Sequence, residues 1–397
     1  MCIRGAYPIP NCPGSEPMTD YRPENSGELA AIVAAAFGDG ETLAVTGGGS
    51  KSALGRPIET ASTLDLGAFS EVIAYEPSEL VLTVGAATPL ARIEALLAEH
   101  NQMLAFEPPD WRRLLGSEDK SQTLGGILST NLSGSRRPNA GAARDHFLGF
   151  KAVNGRGEEF KAGGRVVKNV TGYDLCKLMA GAYGTLGVLT EVTVKVLPAP
   201  ETVRTLLLQG AEPGVLTTAL ATPHEVSGAT WLPSDKVAAL RIEGFGPSVA
   251  YRSRKLLELC RLECLELDEA DSISFWRGIG DADSLQTFPA LWRLSVPPAR
   301  GAAILEALTG RLSGKGYLDW GGGLIWLGLP EERPEDAAVI RGAFQDCGGH
   351  ATLVRGNAWL RAAIPVFEPL PPPLAALSAR VKASFDPGQI LNPGRIG

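Results

Sequence analysis

The run Thr46-Gly47-Gly48-Gly49-Ser50-Lys51-Ser52, with Gly55 following, has the residue types best suited to holding an anion. Consecutive glycines expose backbone N–H groups and admit positive φ, so the loop can wrap a pyrophosphate, although three glycines also suffice for a tight turn. Neither the Walker A spacing nor G-x-G-x-x-G occurs in it. A second cluster, Thr123-Leu124-Gly125-Gly126-Ile127-Leu128-Ser129-Thr130-Asn131-Leu132-Ser133-Gly134, packs hydroxyl and small side chains around glycines. Such a stretch can lie flat against a large planar ligand and donate hydrogen bonds to it, or serve as a flexible linker. A third runs from Lys168 to Asp174 and again from Gly181 to Val188, where glycine just before a strand permits close ligand approach.

The elements that must carry these clusters are legible around them. Leu29, Ile32, Val33, Ala36 and Phe37 repeat at helical spacing, with Asn25 and Glu28 set as a capping box. Thr42 to Thr46 reads as a strand entering the glycine loop, with further short strands at 64–66, 72–75 and 80–84. A helix is expected over 88–100, with Thr88 as cap and Pro89 first. Asn154-Gly155-Arg156-Gly157 is a hairpin turn between strands 147–153 and 158–161. Alternation from Val188 to Val196 gives a strand ending at Pro198. Beyond Pro200, strands (205–208, 237–242, 291–296, 324–329) alternate with helices (251–265, 298–312, 334–347), and Pro369–Pro373 leads into a last helix over 374–385.

The expected fold class is α+β: a tail over 1–19, a two-part domain over 20–197, a smaller α+β cap over 198–368, and a C-terminal segment over 369–397 returning to the first domain. The net charge of −7 excludes broad attraction to nucleic acid or anionic lipid. No apolar run is long enough to span a membrane and no signal peptide is evident, so a cytoplasmic location is expected, with any approach to the inner membrane made through partners. The 6 cysteines lack C-x-x-C spacing, which disfavours iron–sulfur or metal ligation, so no metal is expected. Cys260 and Cys264, a helical turn apart, are expected to pack an apolar helix face.

The ordered motifs resemble the FAD domain of the vanillyl-alcohol-oxidase, or PCMH-type, family. They are the glycine loop at 47–55, T-L-G-G at 123–126, A-A-R-D at 142–145, V-K-N-V-T-G-Y-D at 167–174, G-T-L-G-V at 184–188 and the C-terminal D-P-G-Q-I-L-N-P-G at 386–394. The resemblance implies FAD, with Gly47, Gly48, Gly49, Ser50 and Lys51 at its pyrophosphate. Gly125, Gly126, Ser129, Asn131, Gly184, Gly187 and Val188 would line the cofactor, and Asn392 would return near the flavin. Attachment would be noncovalent, because Ser50 and Lys51 stand where some relatives carry a histidine.

Phe275-Trp276-Arg277, Leu291-Trp292-Arg293-Leu294 and Asp319-Trp320-Gly321-Gly322 resemble the short cap of bacterial glycolate oxidase FAD-binding subunits, as opposed to the larger cap of their sister 2-hydroxy-acid dehydrogenase subunits. That implies oxidation of glycolate or a similar 2-hydroxy acid, with a sister FAD-linked dehydrogenase subunit and an iron–sulfur subunit as partners. The histidine-rich metal site of the sister subunits has no counterpart, since residues 200–368 hold only His224 and His350, far apart in sequence. The candidates for chemistry are therefore Arg293 or Arg277, gripping a carboxylate in bidentate fashion, and His146. Tyr173 is a further proton acceptor to consider, and the pair Arg136-Arg137 faces either a negative cofactor or solvent. Two other readings remain at this point: a self-sufficient flavin oxidase or dehydrogenase acting on another hydroxy acid or alcohol, and a structural partner with a decayed flavin site.

Overall fold

The computed structural model describes residues 19–164 and 173–396. Most of the V-K-N-V-T-G-Y-D motif and the N-terminal tail therefore lie outside the described residues. The first helix, Ser26–Asp39, buries Leu29, Val33 and Ala36, as its apolar spacing requires. Asn25 caps it by accepting from the Glu28 amide at 3.0 Å, and Gly40 ends it in the left-handed conformation. Glu28 reaches back to the Glu24 amide rather than to that of Asn25, so the box closes one residue early.

Two larger sheets form within the first half, beside a two-stranded pairing of Gln102–Met103 with Leu197–Pro198. Thr19–Tyr21, Ser62–Asp65 and Leu43–Thr46 make a parallel three-stranded sheet, and the glycine loop leaves its last strand. A five-stranded antiparallel sheet runs Val72–Glu76, Val81–Gly85, Val188–Lys195, Phe147–Val153, Glu159–Gly163. Val188–Lys195 lies at its centre and is covered on both faces, so its alternating residue types do not mark a wet side. The turn at 154–157 is made as its residues demand: Asn154 Oδ1 accepts from the Arg156 amide at 2.9 Å and the Glu158 amide at 3.1 Å. The helix expected over 88–100 is shorter, Leu90–Ala98. Pro89 is its cap residue, and Thr88 Oγ1 turns away to donate to the Glu71 carbonyl.

Residues 202–355 supply all eight strands of a third sheet, in the order Cys264–Leu267, Thr202–Gln209, Val237–Gly244, Val226–Leu232, Lys315–Asp319, Leu324–Leu329, Ala290–Ser295, His350–Arg355. Its register sorts side chains by face. Trp292, Leu294, Ile325 and Leu327 pack beneath a layer of helices through Leu216, Val249, Leu256, Ile304, Leu308 and Ile340. The alternate residues Tyr317, Trp326, Arg293 and Thr352 stand side by side across four strands, with Asp319, Leu324, Ser295 and His350 in the next row. Tyr317, Leu324 and Trp326 pack into one core with Phe106, Trp111 and Leu114 of the first half. The sheet thus presents a mixed polar and aromatic face toward the first half.

Three expectations fail locally. The helix read over 251–265 is Gly246–Cys260, because Arg261 turns left-handed, and Cys264 opens the edge strand. The two cysteines therefore do not share a helix face. The helix read over 334–347 is Asp336–Gly342. Thr123–Gly134 is not a linker: Leu124–Thr130 is a short helix capped by Thr123 and ended by left-handed Asn131. The last helix, Pro372–Phe385, delivers Asp386, whose buried carboxylate accepts from the Ile390 and Leu391 amides at 3.1 and 2.9 Å and folds the C-terminal segment back onto the first half.

Candidate functional site

A cleft is lined by Thr46, Gly47, Gly48, Gly49, Ser50 and Lys51 on one wall, with Gly125, Gly126 and Ser129 from the short helix and Tyr183, Gly184, Gly187, Asn392 and Arg395 completing it. Four parts of the chain converge there because each is tied down. Arg395 donates to the Ser52 and Leu54 carbonyls at 2.6 and 3.0 Å, which fixes the far end of the loop. Asn392 accepts from the Val45 amide at 2.9 Å and donates to the Tyr183 carbonyl at 2.8 Å, so it joins the strand before the loop to the turn at 183–184. Asn131 and Val188 are not on the cleft. Asn131 caps its helix and accepts from the Arg144 amide at 3.0 Å, while Val188 is fully buried in the core beneath the first helix.

The glycines divide by what surrounds them. A Cβ on Gly48 would meet the Ser121 carbonyl at 2.0 Å, and one on Gly125 the Ala86 carbonyl at 2.6 Å; both let backbone approach backbone. Gly49 and Gly55 are the loop glycines with positive φ, at +74° and +78°. At Gly126 the contacts are only side chains, Thr123 Oγ1 at 3.2 Å and Lys51 Cδ at 3.9 Å. Among the described residues the amides of Gly47, Gly48, Gly49 and Lys51 find no hydrogen-bond acceptor in the protein. Converging unpartnered amides are the donor set an anionic diphosphate needs. Lys51 reinforces it: its ammonium reaches only Ser50 Oγ, at 3.3 Å, and burial pushes its pKa down to about 7.

Beyond the cleft, Tyr183 interacts with the charge of Arg293 on the third sheet. The Arg293 guanidinium lies 4.6 Å from the Trp320 ring centroid, and its buried Nε has no hydrogen-bond partner. Arg137 stands 4.2 Å from the same ring. Burial, then Arg137, pushes the Arg293 pKa down to about 10. The other sequence candidates sit elsewhere. His146 is buried against Phe106, with Nε2 2.8 Å from the Ala140 carbonyl, and does not line the cleft. Arg277 is exposed on its helix, and Tyr173 is 91% exposed. Arg136 faces neither solvent nor a cofactor: it pairs with Glu107 at 2.9 Å and with Glu243.

Residues 19–163 match the family model of an FAD binding domain. Over 368 residues the chain is 36% identical to the glycolate oxidase subunit GlcE of Escherichia coli (strain K12), covering 91% of this chain and 94% of that protein. The chain belongs to the GlcE family of FAD-linked oxidoreductases. The GlcE-type chain is also 31% identical to the glycolate oxidase subunit GlcD of Bacillus subtilis (strain 168), over 49% of this chain and 40% of that one. A solved structure of alkyldihydroxyacetonephosphate synthase shares the fold, with a TM-score of 0.69 at 15% identity, over 94% of this chain and 75% of that one.

The cleft suits FAD: four unpartnered amides stand beside the buried Lys51 on one wall, and small residues line the rest. What sequence reasoning did not single out on the cleft of this GlcE-family chain is Tyr183 and Arg395. Arg137 carried a signal, a basic pair after Gly134, but its partner Arg136 is structural and the two do not separate by type. Among the described residues no cluster of three His, Cys, Asp or Glu side chains is placed to hold a metal, and no helix is long and apolar enough to cross a membrane.

Proposed function

We propose that this chain is the FAD-binding subunit of a complex that oxidises glycolate, or a similar small 2-hydroxy acid, to the 2-oxo acid. Its flavin-binding half would be residues 20–197 and its cap 198–368. A sister FAD-linked dehydrogenase subunit and an iron–sulfur subunit would be its partners. The observation that carries this reading is the four-amide cradle beside Lys51, in a chain similar to GlcE along nearly its whole length. When bound, FAD supplies the two-electron acceptor of the reaction. Noncovalent attachment is supported by the cleft lining, which holds no histidine or cysteine.

Arg293 is the side chain proposed to hold the substrate carboxylate, since its buried Nε has no partner, whereas the cleft guanidinium Arg395 is tied to the Ser52 and Leu54 carbonyls. A 2-hydroxy acid also needs a proton acceptor as its hydrogen leaves. His146 is withdrawn into the core, and the Tyr183 hydroxyl is pushed up to about 12 by burial. The isolated chain is therefore expected to reduce its flavin slowly with glycolate, while the assembled complex turns over. One observation favours a second reading, self-sufficient oxidation: His350 lies in the row next to Arg293, and burial, then Arg293 and Arg137, lower its pKa, which favours the neutral form a proton acceptor needs. Anaerobic mixing with glycolate separates the two. Fast bleaching of the isolated chain that is lost in His350→Ala supports self-sufficiency, whereas turnover only after adding co-purified partners supports the complex.

A further inference from the structure

Where the third sheet meets the segment after Gly134, Arg241 and Arg293 of the sheet stand with Arg136 and Arg137 of that segment, and the four are not equally provided for. Arg136 and Arg241 share Glu107 and Glu243: Arg136 pairs with Glu107 at 2.9 Å and with Glu243, and Arg241 pairs with Glu107 at 2.7 Å and with Glu243 at 3.6 Å. Two cations are matched by two carboxylates. Arg137 and Arg293 have none. Neither forms a salt bridge or a side-chain hydrogen bond among the described residues, and both instead rest on the ring of Trp320. The nearest buried carboxyl, Asp319, is occupied, accepting from Ser135 Oγ and the Trp320 amide, each at 2.7 Å. The indole is itself held, donating to the Gly134 carbonyl at 3.0 Å, so the platform is rigid.

An aromatic face offsets only part of the cost of bringing a cation out of water. Two such cations on one platform repel each other, and Arg137 is indeed a cause of the lowered Arg293 pKa. A half-buried, unmatched pair of this kind is stabilised by an anion that bonds both.

We infer that Arg137 and Arg293, seated on Trp320, form one binding site for a small carboxylate bearing a second oxygen beside it: a 2-hydroxy acid, a 2-oxo acid or a compact dicarboxylate. Arg293 alone can hold a carboxylate in bidentate fashion; the donors of Arg137 remain for the neighbouring oxygen. The site is divided between the segment after Gly134 and the third sheet, so it exists only when the two are packed together. This inference rests on the proposed function for the identity of its natural ligand, but binding can be measured apart from turnover.

Oxalate is a suitable probe, because it has two adjacent carboxylates and no hydrogen to lose. In the full-length FAD-loaded chain, oxalate should saturably perturb tryptophan fluorescence and the visible flavin spectrum, and acetate should bind at least about tenfold more weakly. Arg293→Gln and Arg137→Gln should each weaken oxalate at least about tenfold, with Arg137→Lys recovering part of the loss, while flavin content stays at the wild-type level. Wild-type affinity for oxalate in Arg137→Gln, or equal affinity for acetate and oxalate, would overturn the inference, as would the absence of saturation. Turnover of the complex with glycolate is scored separately: a complex that works although oxalate ignores both arginines sinks this site and leaves the function standing, and the opposite pattern does the reverse.

Discussion

Lys51 is the cleft group whose charge changes near neutral pH, and FAD affinity should report that change. Burial lowers its pKa to about 7, with Asp110 raising it and Arg112 lowering it by smaller amounts. The other ionisable residues on the cleft, Tyr183 and Arg395, have ordinary pKa values far above neutral: burial pushes Tyr183 further up, to about 12, and burial lowers Arg395 from the usual guanidinium range. Without cofactor, Lys51 passes from charged to neutral around pH 7. A pyrophosphate beside the amine favours its charged form, so binding takes up a proton and weakens as pH rises above 7, by at most tenfold per unit. Between about pH 6.5 and 8.5 the FAD dissociation constant should rise roughly 25-fold. In Lys51→Met it should be weaker at low pH and nearly flat. The cofactor-free chain should show the opposite trend in stability, gaining as pH rises from about 7, because the unfolded amine then binds more protons than the folded one. Flavin fluorescence quenching at a series of pH values gives the curve, and isothermal titration in buffers of different ionisation enthalpy counts the protons. A wild-type curve that is flat, or a Lys51→Met curve with the wild-type slope, would refute the placement of this ammonium at the phosphates.

Gly48→Ala should disrupt the loop itself, since its Cβ would lie 2.0 Å from the Ser121 carbonyl; a loss on the order of 3 kcal/mol in a thermal or denaturant melt of the cofactor-free chain is expected. Gly126→Ala, which meets only side chains, should instead keep that melt and lose flavin, read as the ratio of visible to ultraviolet absorbance. Glu107→Gln leaves Arg136 and Arg241 short of a negative charge and should cost on the order of 3 kcal/mol in urea. Burial raises the Glu243 pKa, but Arg241 and Arg136 more than offset this and hold it down to about 2, so the stability it contributes is present above its unfolded pKa near 4.5 and disappears as pH falls through 2. An acid titration of Glu243→Gln should lose that dependence.

The parts of the site that were legible in the sequence are those fixed by local chemistry. The glycine loop follows its strand, the hairpin at 154–157 has the turn its asparagine and glycines dictate, and Asn25 caps where expected. Elements whose residues are decided by distant partners were not legible. Val226–Leu232 reads poorly as a strand because Gly228 interrupts it, yet that glycine is what lets the Trp276 ring approach to 3.1 Å of where a Cβ would be. The helix at 124–130 carries two glycines because Gly125 packs on the Ala86 carbonyl, a demand that local propensity does not show. Asn131 and Val188 share their motifs with cleft residues but point elsewhere, since a short helix and a central strand turn successive side chains to different sides. The contrast between Arg136 and Arg137 is the clearest case: adjacent residues of one type become a salt-bridge hub and an unmatched cation, and only the carboxylates brought by residues 107 and 243 distinguish them.

The central claim is that the cleft holds one FAD per chain without a covalent bond. The most direct test is to purify the full chain, record its visible spectrum, precipitate it with acid and analyse the supernatant by chromatography. The account predicts a yellow protein that releases FAD in a one-to-one ratio to chain and leaves a colourless pellet. Flavin retained by the pellet would contradict noncovalent attachment. A colourless protein that neither carries FAD nor takes it up on incubation would contradict the cofactor site itself.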